Sequence, residues 1–173
     1  MTGEIMPRLD RLPPYLFTAI DQAKKSAIAA GKDVVDLGIG DPDMPTPVEL
    51  VEVMTKAISN SANHQYPDNK GSDSFRKICA TWFEKRFNVK IDSDRHVLAL
   101  IGSKEGLAHL PLALLDEGDE VLVPDIGYPV YTSSTLLAGG NPVEYPLSET
   151  DGFIPQVEAI SKLVTDKTRL LHM

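Results

Sequence analysis

Residues 97–124 read VLALIGSKEGLAHLPLALLDEGDEVLVP, and this stretch decides the fold. It contains an apolar run over 97–101, a Gly102-Ser103 turn, a helical stretch from Lys104 to Leu115, and a second apolar run from Glu120 to Pro124. Two short apolar runs joined by a helix are typical of parallel strands with a crossover connection. The stretch therefore predicts one strand–helix–strand unit of an α/β domain.

The same alternation continues to the end of the sequence. A helix is predicted near Val130–Ala138, a third strand over Pro142–Pro146, a helix over Val157–Val164 and a fourth strand over Thr168–Met173. Four apolar strands alternating with helices favour a mostly parallel sheet. Ligand-binding loops usually follow the carboxyl ends of such strands, so we expect the natural chain to continue past Met173.

The first hundred residues are predicted to be mainly helical. After a proline-containing arm, a helix should begin near Pro14 and end by Gly31, and a short strand should follow over Val34–Leu37. Thr46 and Glu49 have the spacing of a capping box for the next helix. That helix is expected to bury a stripe of four side chains, and a polar loop and another amphipathic helix should follow it. The stripe consists of Leu50, Val51, Met54 and Ile58.

Composition limits the function. Hydrophobic residues make up 42% and charged residues 24% of the 173 residues, which is typical of a folded protein. The net charge of −8 argues against nucleic acid as a partner, because phosphate backbones call for a basic surface. Cys79 is the single cysteine and the four histidines lack metal-ligand spacing, so neither a disulfide nor a metal site is expected. No apolar run has the length of a membrane span or signal peptide, so we expect a cytoplasmic protein.

Two segments should emerge at the same edge of the predicted sheet. Gly102, Ser103 and Lys104 lie between a strand and a helix, where free amides and the helix dipole favour an anion such as phosphate. The same residues are equally compatible with an ordinary turn. Tyr128 follows the next strand, and its ring can stack on a planar ligand or simply pack at the start of a helix.

The order and spacing of four segments resemble the class I/II aminotransferases of pyridoxal-phosphate (PLP) fold type I. The resemblance runs from about Pro13 to Met173. Within the family, the motif sequences are most similar to those of the LL-diaminopimelate and aspartate aminotransferase-like branch. The segments are DLGIGDPD from Asp36, HQYP from His64 with KGSDSFR from Lys70, GSKEG from Gly102, and PDIGYP from Pro124.

The resemblance implies a role for each matching residue. Gly102, Ser103 and Lys104 match the turn that holds the cofactor phosphate, and Tyr128 matches the aromatic residue that stacks on its pyridine ring. Tyr66 matches a tyrosine that reaches the cofactor phosphate of the partner subunit in a homodimer. Gly40 matches a glycine beside the substrate carboxylate, and Tyr15 matches an arm tyrosine near the substrate.

The resemblance also implies a domain division. Residues 1–36 would form an arm and a helix of the small domain, and residues 37–173 the N-terminal part of a large three-layer α/β/α domain. In the family, the strand that matches residues 97–101 lies at one side of a seven-stranded sheet. Strands encoded after Met173 would separate it from Glu120–Pro124.

No catalytic residue is assigned within the sequence. The family's Schiff-base lysine, the aspartate under the pyridine nitrogen and the substrate-carboxylate arginine have no counterparts here, so we expect the 173-residue chain alone to be inactive. The parent protein would transaminate an amino acid and a 2-oxo acid. A non-catalytic remnant, a PLP-dependent C–S lyase or decarboxylase, and an unrelated nucleotide-binding α/β domain remain alternatives.

Overall fold

The structure, a computed structural model, describes residues 7–38, 40 and 42–173. The first six residues of the predicted arm, together with Ile39 and Asp41 of the DLGIGDPD segment, lie outside the described residues. The described chain divides into two compact units. We call Asp33–Leu100 the helical unit, and the residues up to Lys32 together with Ile101–Met173 the sheet unit.

The elements follow the predicted order closely in the second half of the chain. The seven α-helices of the described residues are α1 Pro7–Asp10, α2 Leu16–Ala29, α3 Val48–Ile58, α4 Asp73–Phe87, α5 Ser103–Leu114, α6 Pro129–Leu137 and α7 Val157–Ser161. The strands are β1 Glu120–Pro124, β2 Asn141–Tyr145 and β3 Thr168–Leu171. Short 3-10 helices cover Ser61–Asn63 and Glu149–Asp151.

The sheet is parallel, with β1 in the middle and the order β2-β1-β3. Glu120 pairs with Asn141 of β2, and Leu122 pairs with Leu171 of β3. Because β1 has a neighbour on both sides, its side chains are enclosed, and Val121, Leu122 and Val123 are at most 1% exposed. The expected α/β fold with a parallel sheet is confirmed.

The core of the sheet unit is small. Leu122, Tyr145 and Ile160 form its buried cluster, and three half-buried side chains pack around them. These are Val143, Leu147 and Leu163. The core therefore fixes the strands to α7 and fixes the carboxyl ends of β1 and β2, where the candidate site begins.

Two predicted strands are wrong. Residues 34–37 and 97–100 do not form strands, and among the described residues neither segment belongs to a sheet. An apolar run becomes a strand only when a second backbone satisfies its N–H and C=O groups. The 97–100 segment makes one such bond, from the Ala99 amide to the Lys70 carbonyl at 3.0 Å.

The N-terminal cap and buried stripe predicted for α3 are also wrong. Its helix begins at Val48 with Pro47 as N-cap and no side-chain cap bond, so Thr46 lies one residue outside the capping position. The stripe is exposed, with Leu50 at 59%, Met54 at 61% and Ile58 at 62%. Helical periodicity identified one apolar face correctly, but burial requires an element that covers that face.

Candidate cofactor-binding site

The start of α5 presents backbone amides in an open position. Gly102 has φ +79° and ψ 155°, a conformation essentially confined to glycine, and α5 begins at Ser103. A Cβ at Gly102 would meet no atom within 4 Å, so the backbone is accessible there. The Glu105 carboxylate accepts the Ile101 amide at 2.7 Å, and the Glu105 amide donates to the Gly102 carbonyl at 3.3 Å. The amides of Ser103 and Lys104 are the ones that remain for a ligand at the start of α5.

The Tyr128 segment is tied to the end of the sheet. The Asp125 amide donates to the Tyr145 carbonyl at 3.0 Å, and the Asp125 carboxylate accepts the Leu147 amide at 2.8 Å. A Cβ at Gly127 would lie 2.6 Å from the Pro124 side chain, so this tight turn requires glycine. Tyr128 is then the N-cap of α6, with Pro129 in the first helical position, where proline is favoured.

Tyr15, Lys104 and Tyr128 line one cavity of about 220 Å³ in the sheet unit. Pro129, Val130 and Ser133 of α6 complete its lining. The Lys104 Nζ atom lies 5.1 Å from the centroid of the Tyr128 ring, and its interaction with the Tyr128 hydroxyl raises the pKa of Lys104. The ammonium is therefore charged at neutral pH. Complete ligand pockets usually measure about 300–1,000 Å³, so this cavity has the size of part of a site.

The remaining sequence-predicted residues lie in the helical unit. Tyr66 is fully exposed, at 102%, in the loop that follows α3. Gly40 is also exposed, and a Cβ there would meet no atom within 4 Å. The structure thus brings Tyr15, Lys104 and Tyr128 together, with Gly102 and Ser103 directly before Lys104 in the chain.

Sequence reasoning missed three residues near the site. Ser133 lines the cavity. The sequence indicates this only through its spacing of four residues from Pro129, which puts both on one face of α6. Tyr131 contacts Tyr128 edge-on, and their spacing of three residues is compatible with this contact. His172 stacks on Tyr131, and no sequence pattern indicates this contact because it joins α6 to the end of β3.

The described residues contain neither a cluster of metal ligands nor a membrane-spanning helix. No group of three or more His, Cys, Asp or Glu side chains there is arranged to hold a metal ion. No described helix combines the length and apolar character needed to cross a bilayer.

The sequence profile of the family described as aminotransferase class I and II matches residues 32–172. The chain belongs to this family. LL-diaminopimelate aminotransferase of Aquifex aeolicus is 48% identical over 168 residues, covering 97% of this chain and 43% of that protein. The enzyme of the same name from Desulforudis audaxviator is 51% identical over 166 residues, covering 96% of this chain and 42% of that protein. The chain thus spans less than half the length of these relatives.

Solved structures agree with the family assignment. BacF of Bacillus subtilis in its substrate-bound form superposes with a TM-score of 0.86 at 32% identity, covering 98% of this chain and 44% of that chain. A mutant aspartate aminotransferase of Thermus thermophilus gives a TM-score of 0.89 at 25% identity, with the same coverage. The expected fold is confirmed: the chain has part of the PLP-transferase fold type I.

Aminotransferases of this family are PLP enzymes, and the described residues fit that cofactor. The open amides of α5 and the Ser103 hydroxyl suit a phosphate, because a helix N-terminus favours an anion. Tyr128 is 40% exposed and borders the cavity, so its ring is accessible to a planar heterocycle. The charged Lys104 lies beside both features.

Proposed function

We propose that this chain is the N-terminal part of a PLP-dependent aminotransferase, which transfers an amino group between an amino acid and a 2-oxo acid. The observation that carries the proposal is that Tyr15, Lys104 and Tyr128 border one cavity at the carboxyl edge of a parallel sheet. Ligands of open α/β sheets bind at this edge. The names of the relatives from Aquifex aeolicus and Desulforudis audaxviator support LL-diaminopimelate as the amino-acid substrate.

The residues of this chain would bind and orient the cofactor. Backbone amides at the start of α5 and the Ser103 hydroxyl would hold the phosphate, and Tyr128 would set the plane of the pyridine ring. Bound PLP supplies the electron sink that lets the bonds of the amino-acid Cα break. Tyr15 would close the substrate side of the cavity, and Gly40 would let the backbone approach the substrate carboxylate.

The proton transfers would depend on a lysine outside this chain. The sequence spans about 43% of the length of the Aquifex relative, and none of its lysines lies in the family's lysine context. In our proposal, that lysine belongs to the remaining part of the protein. The described part would then contribute affinity and orientation and would not carry out the proton transfers.

A homodimer is part of the proposal. Tyr66 is fully exposed on the polar loop after α3, so its hydroxyl is available to a second subunit. Tyrosine is also enriched at protein interfaces, where its ring is covered and its hydroxyl finds a partner. In this arrangement Tyr66 would bind the cofactor phosphate held by the partner subunit.

The proposed cofactor site is tested in the full-length protein by Ser103→Ala. Loss of one hydrogen bond to a charged phosphate is worth about 1.5–3 kcal/mol, so PLP affinity should fall about tenfold or more. The matched control is Ser26→Ala on α2, where the serine hydroxyl donates to its own helix at the Gln22 carbonyl. Affinity is measured by titrating the apo-protein with PLP.

Activity decides between the enzyme and a non-catalytic remnant. The full-length protein should transfer the amino group of LL-diaminopimelate to a 2-oxo acid, and Ser103→Ala should lose this activity at limiting PLP and regain it in excess PLP. Equal PLP affinity in the Ser103→Ala and Ser26→Ala variants would refute the phosphate assignment. PLP binding without turnover of any amino acid would support the remnant instead.

A further inference from the structure

Three rings lie in series behind the candidate cofactor site. The Tyr128 and Tyr131 rings meet edge to face, with centroids 6.0 Å apart and an interplanar angle of 86°. Tyr131 also stacks on the His172 ring, which is nearly parallel at 10° with centroids 4.3 Å apart. The series therefore links the end of β3 to the ring that borders the cavity.

The backbone of His172 is fixed to the sheet at both its polar groups. Its amide donates to the Leu122 carbonyl of β1 at 2.9 Å. Its carbonyl accepts the Tyr145 hydroxyl at 2.7 Å, and Tyr145 is 1% exposed. The imidazole is thus attached to the most enclosed part of the sheet unit.

The imidazole is a neutral aromatic surface in this position. His172 is 8% exposed, and its Nε2 atom is buried without a hydrogen-bond partner in the described part of the chain. Burial lowers the pKa of His172, so the ring is uncharged at neutral pH. Burying the Nε2 atom without a hydrogen-bond partner costs free energy. The stacking contact with the Tyr131 ring is the favourable interaction that the imidazole makes in this position.

Tyr131 is also fixed through its backbone. Its carbonyl accepts the Thr135 hydroxyl at 2.8 Å and the Ser134 hydroxyl at 3.3 Å, and both of these residues are buried. Tyr128, in contrast, is 40% exposed and lies at the first residue before α6. Tyr131 is the ring that contacts the Tyr128 ring, while the Lys104 ammonium lies 5.1 Å from the Tyr128 centroid. The fixed Tyr131 ring therefore limits the orientations open to the Tyr128 ring.

We propose that His172 is a positioning residue for the cofactor site, which acts through Tyr131 to hold the Tyr128 ring in the plane that faces the cofactor. The inference rests on the proposed role of Tyr128 in stacking on PLP. It adds that the flat neutral ring of His172, rather than its acid–base chemistry, is what the site requires. A flat apolar ring at position 172 should therefore replace it.

The test uses the full-length holoenzyme with two apolar substitutions at position 172. His172→Leu fills the space without a flat face and should weaken PLP binding about three- to tenfold, as expected for losing one aromatic contact. His172→Phe keeps the flat face and should change PLP affinity by about twofold at most. The visible circular dichroism of bound PLP, which reports the orientation of the ring, should change in His172→Leu and be retained in His172→Phe.

A double-mutant cycle separates positioning from general destabilisation. In the Tyr128→Ala background, His172→Leu should cause no further loss of PLP affinity, because the ring it orients is gone. Additive losses would overturn the positioning role while leaving Tyr128 as a cofactor ligand. If Tyr128→Ala alone binds PLP normally, the proposed stacking by Tyr128 fails, and the role of His172 fails with it.

A second variant keeps the proposal testable if His172→Leu does not fold. Tyr131→Leu interrupts the series at its middle ring and should give the same loss of PLP affinity and the same change in circular dichroism as His172→Leu. Normal affinity and an unchanged spectrum in Tyr131→Leu would overturn the proposal. The thermal midpoints of the apo-proteins show whether a lost affinity merely follows lost stability.

Discussion

Arg76 on α4 is bound by backbone carbonyls as well as by carboxylates. Its side chain is 7% exposed, and it donates to the Gly71 carbonyl at 3.2 Å and the Ser93 carbonyl at 2.9 Å. It also pairs with Asp73 and Asp94, whose side chains are 69% and 67% exposed. Exposed partners make weak ion pairs, whereas part-buried carbonyls that lose a donor are left unsatisfied. The carbonyl contacts should therefore dominate the stability that Arg76 provides.

This argument predicts a clear difference between two substitutions. In the full-length protein, Arg76→Met should lower the free energy of unfolding by about 1–3 kcal/mol, because two carbonyls lose their donor. Asp73→Asn should lower it by about 1 kcal/mol or less, because it weakens one ion pair whose carboxylate is exposed to water. Urea unfolding of both variants measures the difference. Equal losses would mean that the ion pairs carry the stability.

At the scale of single residues, the sequence indicates candidate chemistry but not contacts between distant elements. The strand–turn–helix pattern predicted Ser103 and Tyr128 at one edge of the sheet. The strand before Ser103 does not form, but the structure places Lys104, the next residue, and Tyr128 on one cavity. The stacking of His172 on Tyr131 could not be predicted, because position 172 carries no signal of which helix covers it. A contact between distant elements depends on their packing, which a local pattern does not encode.

At the scale of elements, local signals explain which predictions were confirmed. The start of α5 was predicted to within one residue because glycine marks it, and Gly31 after α2 has φ +73° where the end of that helix was expected. The predicted strand over 97–101 was wrong because a strand needs a partner that its own residues cannot supply. The three strands that do pair with one another were predicted to within two residues of their observed bounds.

Gly102 and Gly31 allow a matched test of the role of glycine at the ends of helices. Both have positive φ, and a Cβ at either would meet no atom within 4 Å, so an alanine is disfavoured by backbone strain alone. Each Gly→Ala substitution should cost about 1–3 kcal/mol of stability in the full-length protein. Gly102→Ala should also weaken PLP binding severalfold, because relief of the strain turns the first amides of α5 away from the phosphate.

The control is the PLP affinity of Gly31→Ala, which should equal that of the unsubstituted protein. Thermal unfolding of the apo-proteins reports the strain, and PLP titration reports the geometry of the α5 start. A Gly102→Ala variant that loses stability but binds PLP normally would refute the role of these amides in phosphate binding.

At the scale of the whole molecule, the two units differ in how much apolar surface they enclose. The sheet unit buries Val121, Leu122 and Val123 beside the Tyr145 and Ile160 cluster. In the helical unit, Arg76 is the single buried residue among those described. Most of its large apolar side chains on α3 and α4 are instead exposed to solvent. Examples are Val53 at 67%, Met54 at 61%, Ile78 at 68% and Trp82 at 58%.

We therefore predict that the 173-residue chain, produced alone, does not unfold cooperatively. Failure to bury about 300 Å² of apolar surface forgoes roughly 7 kcal/mol, and the whole stability of a domain is usually only about 5–15 kcal/mol. The sheet adds a second reason, because β2 and β3 each have an unpaired edge among the described residues and can recruit other chains. Calorimetry should show no sharp transition, and Trp82 fluorescence should be red-shifted relative to the full-length protein. A monomeric sample with a sharp transition and dispersed amide signals would contradict this and would mean that the helical unit covers its apolar faces by itself.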